Sequence, residues 1–368
     1  MVNLMAERTL SSVILAAGVG TRMRSERPKP LHLLCGRAML LHVLDAAAAT
    51  GVERAVVVVG HGAERVTKKL VEDGPSDLPI DFVDQAEQRG TGDALMVGLT
   101  AFPDDDLDGD LLVLPGDAPL LRGETLVRLV EAHRKSDAAA TLLTARLADP
   151  TGYGRVVRGR GGRVVRIVEQ ADATAEEALV DEVATSVYCF RRSLVAPALR
   201  RLKPENAQGE YYLTDVIEVL GTAGYPIASH VVDDAIETVG VNDRAQLALA
   251  EAELRRRTNR RWLGLGVTMV DPAQTYVDAT VQLASDVTLF PGTILQGATR
   301  VGSGAEIGPG TRLVDCVVGK EAVVTETTAE GAEIGAGARV GPFAYLGPGA
   351  TVSVGEVTGP FYTGRSTS

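Results

Sequence analysis

The sequence predicts two architectures in one chain: a doubly wound, mostly parallel α/β sheet, then a short parallel β-helix of hexapeptide repeats. Two observations predict the sheet. Short apolar runs alternate with helical segments from about residue 11 to 240, and several of those runs end in glycine-containing loops. One observation predicts the β-helix: from about residue 281, aliphatic residues recur at a six-residue period.

The first apolar run, Val13-Ile14-Leu15, reads as a buried strand. It leads into a loop with Gly18 and Gly20, where missing side-chain bulk lets backbone N–H groups approach a phosphate chain. The loop then delivers Arg22, Arg24, Arg27 and Lys29. Four cations at the carboxyl end of a strand, in a chain of net charge −11, point to a counter-charge for a polyanionic small molecule. The plainer alternative is a glycine turn before a solvated basic helix. Two commoner phosphate loops do not match. The pattern G-x-x-x-x-G-K-[ST] is absent, and Met23 stands where the dinucleotide fingerprint needs its third glycine.

Residues 38–50 read as a helix stopped by Gly51. Residues 55–59 (AVVVV) read as a central parallel strand, followed by the turn Gly60-His61-Gly62 and a helix over 63–73. Residues 80–83 form a short strand. The segment from Gln85 to Gly92 follows it and precedes a helix opening near Asp93. A glutamine amide can read both donors and acceptors on a base edge, and Gly90 and Thr91 could place backbone groups beside it. Thr91 as a helix N-cap is the alternative, and the two are compatible. Residues 111–114 (LLVL) form another buried strand, ending in Pro115-Gly116-Asp117. A carboxylate there is placed to hold Mg²⁺ bridging substrate phosphates, or merely starts a turn. Strands follow at 141–147 and 163–168. In this half, Gly154 permits close ligand approach, and Glu169 can accept hydrogen bonds from a sugar. Asn242 can cap a connecting helix that runs to about Arg257, with Gly264 and Gly266 ending it. It also offers a second oxygen ligand for a metal.

In the last third, Leu283, Leu289, Leu295, Val301, Ile307 and Leu313 are six apart. The phase slips by one before Val318 and Val324, then resets at Ile334, Val340, Leu346 and Val352. Six of these aliphatics precede glycine. About four coils of roughly 18 residues are expected, each aliphatic pointing inward onto its counterpart in the next coil. No terminal cap is visible, so the last coil is expected to fray or be covered by a partner. The expected boundaries are 1–242, 243–266 and 267–368.

Composition bounds the rest. Hydrophobic residues at 45% and charged residues at 23% fit an ordinary globular protein. The acidic balance argues against nucleic-acid or membrane-surface binding. Three scattered cysteines without metal-ligand spacing suit reduced thiols. With no signal-peptide core at the start and no run near the ~20 apolar residues of a membrane span, a cytoplasmic location is expected.

The ordered segments LAAGVGTRM…PKPLH, QAEQRGTGDAL, PGDAPLL, DPTGYGRVV, IVEQADAT, NAQGEYYLTD and GVNDRAQLA, followed by the repeats, resemble one family. It is that of the bifunctional N-acetylglucosamine-1-phosphate uridyltransferases / glucosamine-1-phosphate N-acetyltransferases, over roughly residues 11 to 350. The resemblance implies a nucleotidyltransferase domain and a left-handed β-helix that assembles as a homotrimer. It implies Mg²⁺-dependent transfer of UMP from UTP to N-acetylglucosamine 1-phosphate, for bacterial cell-wall precursor synthesis. Leu15, Ala16, Ala17 and Gly18 would then hold the nucleotide, and Arg22 and Lys29 would neutralise its phosphates. Gln85, Gly90 and Thr91 would contact uracil. Pro115, Gly116 and Asp117 would lie under the ribose and metal, with Asp117 and Asn242 as Mg²⁺ ligands, and Gly154 and Glu169 would contact the sugar.

Departures from the family pattern qualify this. Ala184 stands where the family has an asparagine that helps hold the N-acetyl sugar, a loss of about 0.5–1.5 kcal/mol. Ala171 replaces a usual lysine. Gly347-Pro348-Gly349 replaces an R-P-G motif, and the histidines, His32, His42, His61, His133 and His230, all precede the repeats. The resemblance implies a histidine base within the repeats for acetyl transfer, which is therefore expected to be absent, since losing that base alone costs roughly 10²–10⁴-fold. Two other readings remain open: a nucleotidyltransferase for another sugar 1-phosphate, and a non-catalytic sugar-nucleotide-binding oligomer.

Overall fold

Strands β1 (Leu10–Leu15), β2 (Arg54–Val59), β3 (Ile80–Asp84) and β4 (Asp110–Pro115) are the apolar runs of the first half of the chain. Strands β5 (Ala140–Arg146), β6 (Gly154–Arg158), β7 (Val164–Val168), β8 (Glu182–Arg191) and β9 (Ile227–Val231) complete the sheet. The computed structural model describes residues 8–103 and 109–364. The strand order is β9-β5-β8-β4-β1-β2-β3, with β6 paired to β8 and β7 beyond it. Strands β1 to β4 are mutually parallel, Leu15 lying opposite both Val58 and Pro115. β8 runs antiparallel between β4 and β5, and β9 runs parallel to β5.

The apolar runs are continuous because both faces of the sheet are covered. Ile14, Val57, Leu112 and Leu114 face one core, with helices α1 (Met39–Ala48), α2 (Ala63–Asp73) and α4 (Gly123–Ser136). Val13, Val56, Val58 and Val113 face the other, with α3 (Thr91–Leu99), α5 (Arg192–Leu199) and α6 (Asp215–Thr222). From β1 the chain first builds β2 and β3 on one side, then returns to place β4 on the other. That reversal opens a crevice at the carboxyl ends of β1 and β4, the place where such sheets hold ligands.

Strands β6, β8 and β9 go beyond the expected set. β6 and β7 form a hairpin whose turn includes Gly161 and Gly162 at positive φ. A short connection permits only antiparallel pairing, which breaks the parallel pattern of the first half.

The chain divides into two compact units. One takes residues up to His32 with Ala38–Leu247, the other Leu33–Arg37 with Ala248 onward. The connector is a single helix, α7 (Arg244–Gly264), longer than the sequence suggests. Asn242 does not cap it. The Asp243 carboxylate accepts from the Gln246 N–H (2.8 Å), and Gln246 Oε1 accepts from the Asn242 N–H (2.7 Å).

In the second unit, short parallel strands stack into three sheets of five, six and five strands. Each strand buries one residue and exposes its neighbour, so Leu289, Leu295, Leu313, Val324 and Leu346 form a continuous inner column system. Five full coils are present rather than four. The first begins at Thr268–Met269, where the six-residue period is hidden by the extra turn Pro272–Gln274 between Met269 and Val277. Later coils shorten, with Thr288 pairing Glu306, Glu306 pairing Val323 and Val323 pairing Arg339, which explains the phase slips. Inward Thr293 and Thr299 are fully buried, and each donates its hydroxyl to a carbonyl of its own coil (2.7 Å). No helix among the described residues is long and apolar enough to cross a membrane. Cys35, Cys189 and Cys316 are buried and unbridged.

Candidate functional site

The crevice at the ends of β1 and β4 opens into a cavity of about 410 Å³ in the first unit. Its floor is the turn after β1, Leu15 to Gly18, and the turn after β4, Pro115 to Asp117. Gly116 is required there, because a Cβ would sit 2.9 Å from Ala16 Cβ and 3.0 Å from Leu15 O. Gly18 has open space in front of it. Gly20 adopts a left-handed conformation (φ 66°), and a Cβ would lie 2.7 Å from Lys29 Cβ. The second loop glycine therefore serves close packing of Lys29 against the loop, not approach to a ligand.

Lys29 is the hinge of the electrostatics. Its ammonium pairs with the Asp117 carboxylate and donates to Asn242 Oδ1 at 2.9 Å. Arg22 Nη2 donates to the same Asn242 oxygen at 3.1 Å. A Cβ built on Gly240 would be 3.6 Å from both the Asp117 and the Asn242 side chains, so these two lie close together although far apart in sequence. Lys29 is 13% and Asp117 28% exposed, which keeps the pair strong but accessible.

On one side stands the segment after β3. Gln85 is 5% exposed, and its Nε2 donates to Asp93 Oδ2 (2.8 Å) and Gly90 O (3.4 Å). Its donor is thus committed within the protein, and its carbonyl oxygen is what remains for a ligand. Thr91 does not cap α3: its hydroxyl accepts from the Leu213 N–H (3.0 Å), while Gly90 occupies the cap position at φ 111°. Gly90 and Gly92 sit against the Tyr211 carbonyl, where a Cβ would be 2.7 and 2.9 Å away.

Glu169 also lines the cavity. Burial pushes its carboxyl above the usual range, opposed by the Thr214 hydroxyl, which donates to it at 3.1 Å. Gly154 does not line the cavity. It lies behind Glu169, with a Cβ position 3.4 Å from Glu169 Oε2. Arg22 and Asn242 are likewise off the cavity wall and reach it through Lys29. Ala184 is buried in β8, opposite Thr144 and Gly154, and contributes no wall.

Several wall residues carry no role in the sequence analysis: Gln88, Ser186, Tyr188, Glu210, Leu213 and Thr214. Gln88 Nε2 donates to Ala17 O (2.8 Å), tying the segment after β3 to the turn after β1. Glu210, Leu213 and Thr214 belong to the segment NAQGEYYLTD, quoted above only as a landmark, and Ser186 and Tyr188 to β8. Among the described residues no three His, Cys, Asp or Glu side chains converge as a metal site. A magnesium ion held by one or two protein oxygens plus substrate phosphates needs no such group.

Comparison with known proteins gives consistent matches. The profile of the nucleotidyl transferase family matches residues 11–268. The bifunctional protein GlmU of Mycolicibacterium vanbaalenii is 47% identical over 355 residues, covering 96% of this chain and 72% of that protein. GlmU of Streptomyces avermitilis is 45% identical, covering 99% and 75%. GlmU of Halalkalibacterium halodurans is 42% identical, covering 93% and 73%.

Proposed function

The chain belongs to the nucleotidyl transferase family, and within it to the GlmU proteins, and from that premise we propose that it transfers UMP from UTP to N-acetylglucosamine 1-phosphate, releasing pyrophosphate. One observation carries the reading. The Lys29 ammonium sits between Asp117 and Asn242 at the rim of a cavity floored by the two strand-end turns.

The reaction needs no protein nucleophile. The sugar 1-phosphate oxygen attacks the α-phosphorus in line, and the chain positions the two substrates and neutralises charge. The turn from Leu15 to Gly18 would meet the triphosphate with the backbone amides beyond Ala16, whose own N–H donates to Val58 O (2.9 Å), and Lys29 and Arg22 would balance its charge. Gln85, Gly90 and Thr91 form the wall proposed for uracil, with Gln85 offering its carbonyl oxygen. Pro115 and Gly116 lie under the ribose, and Glu169, set by Gly154 and Thr214, accepts from sugar hydroxyls. Asp117 and Asn242 suit Mg²⁺, because two hard oxygens already converge on one cation, the Lys29 ammonium. Bound there, Mg²⁺ would supply charge neutralisation on the phosphates. Lys29, released from that pair, would turn to the triphosphate.

The test mixes purified protein with Mg²⁺ and UTP and offers N-acetylglucosamine 1-phosphate, glucose 1-phosphate or no sugar, following pyrophosphate. Release that requires the N-acetylated sugar is expected. Preference for glucose 1-phosphate would instead favour the second reading, which the loss of a side-chain amide at Ala184 supports. We also propose a homotrimer through the β-helix, supported by exposed Tyr276, Val317 and Tyr345 on its outer faces. Light scattering at the monomer mass would reject it.

A further inference from the structure

Strand β8 is interrupted where it passes the cavity. Its pairing with β5 is regular from Glu182↔Arg146 to Ala184↔Thr144, then resumes at Tyr188↔Leu142. Three residues of β8 stand against one of β5, a bulge that re-aims side chains. Thr185 and Val187 are buried, and the Thr185 hydroxyl donates to Leu143 O at 2.8 Å, so both shoulders of the bulge are pinned. Between them Ser186 is exposed, lines the cavity and holds φ +60°.

That conformation belongs to glycine, because an L side chain there crowds its own carbonyl. A side chain kept in such a state beside a ligand cavity marks a candidate functional constraint. The Ser186 hydroxyl makes no hydrogen bond to another described residue. Its neighbours on the wall are already committed: Glu169 accepts from Thr214, and Tyr188 is buried. Ala184, two residues earlier on the strand, offers only a methyl group. Ser186 is therefore the uncommitted polar side chain that β8 presents at the Glu169 end of the cavity.

We propose that Ser186 selects the acceptor sugar: its hydroxyl hydrogen-bonds one ring substituent of the hexose 1-phosphate, and the protein discriminates among sugars at that substituent. The proposal rests on the nucleotidyl-transfer reading above. It concerns the acceptor, because Ala184, two residues earlier, pairs with Gly154, which packs against Glu169.

The experiment compares the unaltered protein with Ser186→Ala and Ser186→Gly. Each is assayed with UTP and a panel of hexose 1-phosphates that differ at one position at a time: hydroxyl, amine or acetamido at C2, and epimers at C4. Ser186→Ala should lower kcat/KM about 2- to 10-fold for the preferred sugar. It should lower it less for the sugar that lacks the bonded substituent, and leave KM for UTP unchanged. Ser186→Gly should show the same selective loss with a melting temperature that does not fall, because the backbone strain is relieved. A loss equal for every sugar, or no loss, would overturn the assignment. Transfer by the unaltered protein separates that failure from failure of the underlying reading, which would instead show as no pyrophosphate with any sugar and would take the proposal with it.

Discussion

Lys29 shows how much of a site can rest on one side chain. Three polar groups from three parts of the first unit, Arg22, Asp117 and Asn242, are linked through it or its direct partner. Replacing it by alanine removes the cation but keeps the Cβ that packs against Gly20. Lys29→Ala should lower turnover at least about tenfold with an unchanged circular dichroism spectrum. Unchanged turnover would remove Lys29 from the mechanism. Asp117→Asn keeps the shape but removes the negative charge and leaves one neutral amide oxygen, so the Mg²⁺ concentration for half-maximal rate should rise about tenfold or more. Titrating Mg²⁺ against the initial rate of pyrophosphate release reads this directly. Lys29 and Asp117 were both legible in the sequence because each follows a buried strand. Their direct pairing was not, since 88 residues separate them.

Helix α6 carries a conflict between local and tertiary electrostatics. Asp215 stands in its first turn, where the helix dipole favours a carboxylate. Burial, then Glu218, Glu169 and Asp172, nevertheless push its carboxyl up to about 6. Between the ordinary carboxylate range and about pH 6 the folded protein holds a proton that the unfolded chain has released. Stability therefore falls as pH rises through that window, and the deficit is complete above it. Asp215→Asn removes the deficit. It should stabilise the first unit at pH 7 by about 1–2 kcal/mol, after allowing for solvent screening of a half-buried group, and have no effect below pH 4. Thermal melts at the two pH values check this; an equal shift at both would contradict it. The β-helix coils lie at the opposite extreme: among the described residues their buried side chains are mainly aliphatic, with threonines and Cys316, and include no carboxylate. Ile307 is fully buried among aliphatic residues, and Ile307→Ala should cost about 2–5 kcal/mol by leaving a cavity.

The molecule as a whole has apolar clusters that belong to different units, two on the faces of the α/β sheet and one inside the β-helix. Cooperative unfolding follows such cores. Calorimetry should therefore show two transitions. UTP with Mg²⁺ should raise the one from the α/β unit, by about 2.7 kcal/mol at a hundredfold excess over Kd. Ile307→Ala should lower the other. A single transition that moves with both changes would contradict separate cores.

Periodicity alone carries the architecture. Apolar runs of four to six residues bounded by turn residues read as strands covered on both faces, and aliphatics six apart read as coil stacked on coil. Glycine and charge placement at strand ends carries the location of the site. The rest arises from contacts between residues far apart in the chain. Asn242 turns toward Lys29 instead of capping α7, Thr91 receives Leu213 instead of capping α3, and a bulge in β8 aims Ser186 into the cavity. Asn242 and Thr91 each had a satisfactory local role as a helix cap. Packing of distant segments offered a different one, and side-chain hydrogen bonds follow the folded geometry, in which sequence separation no longer counts.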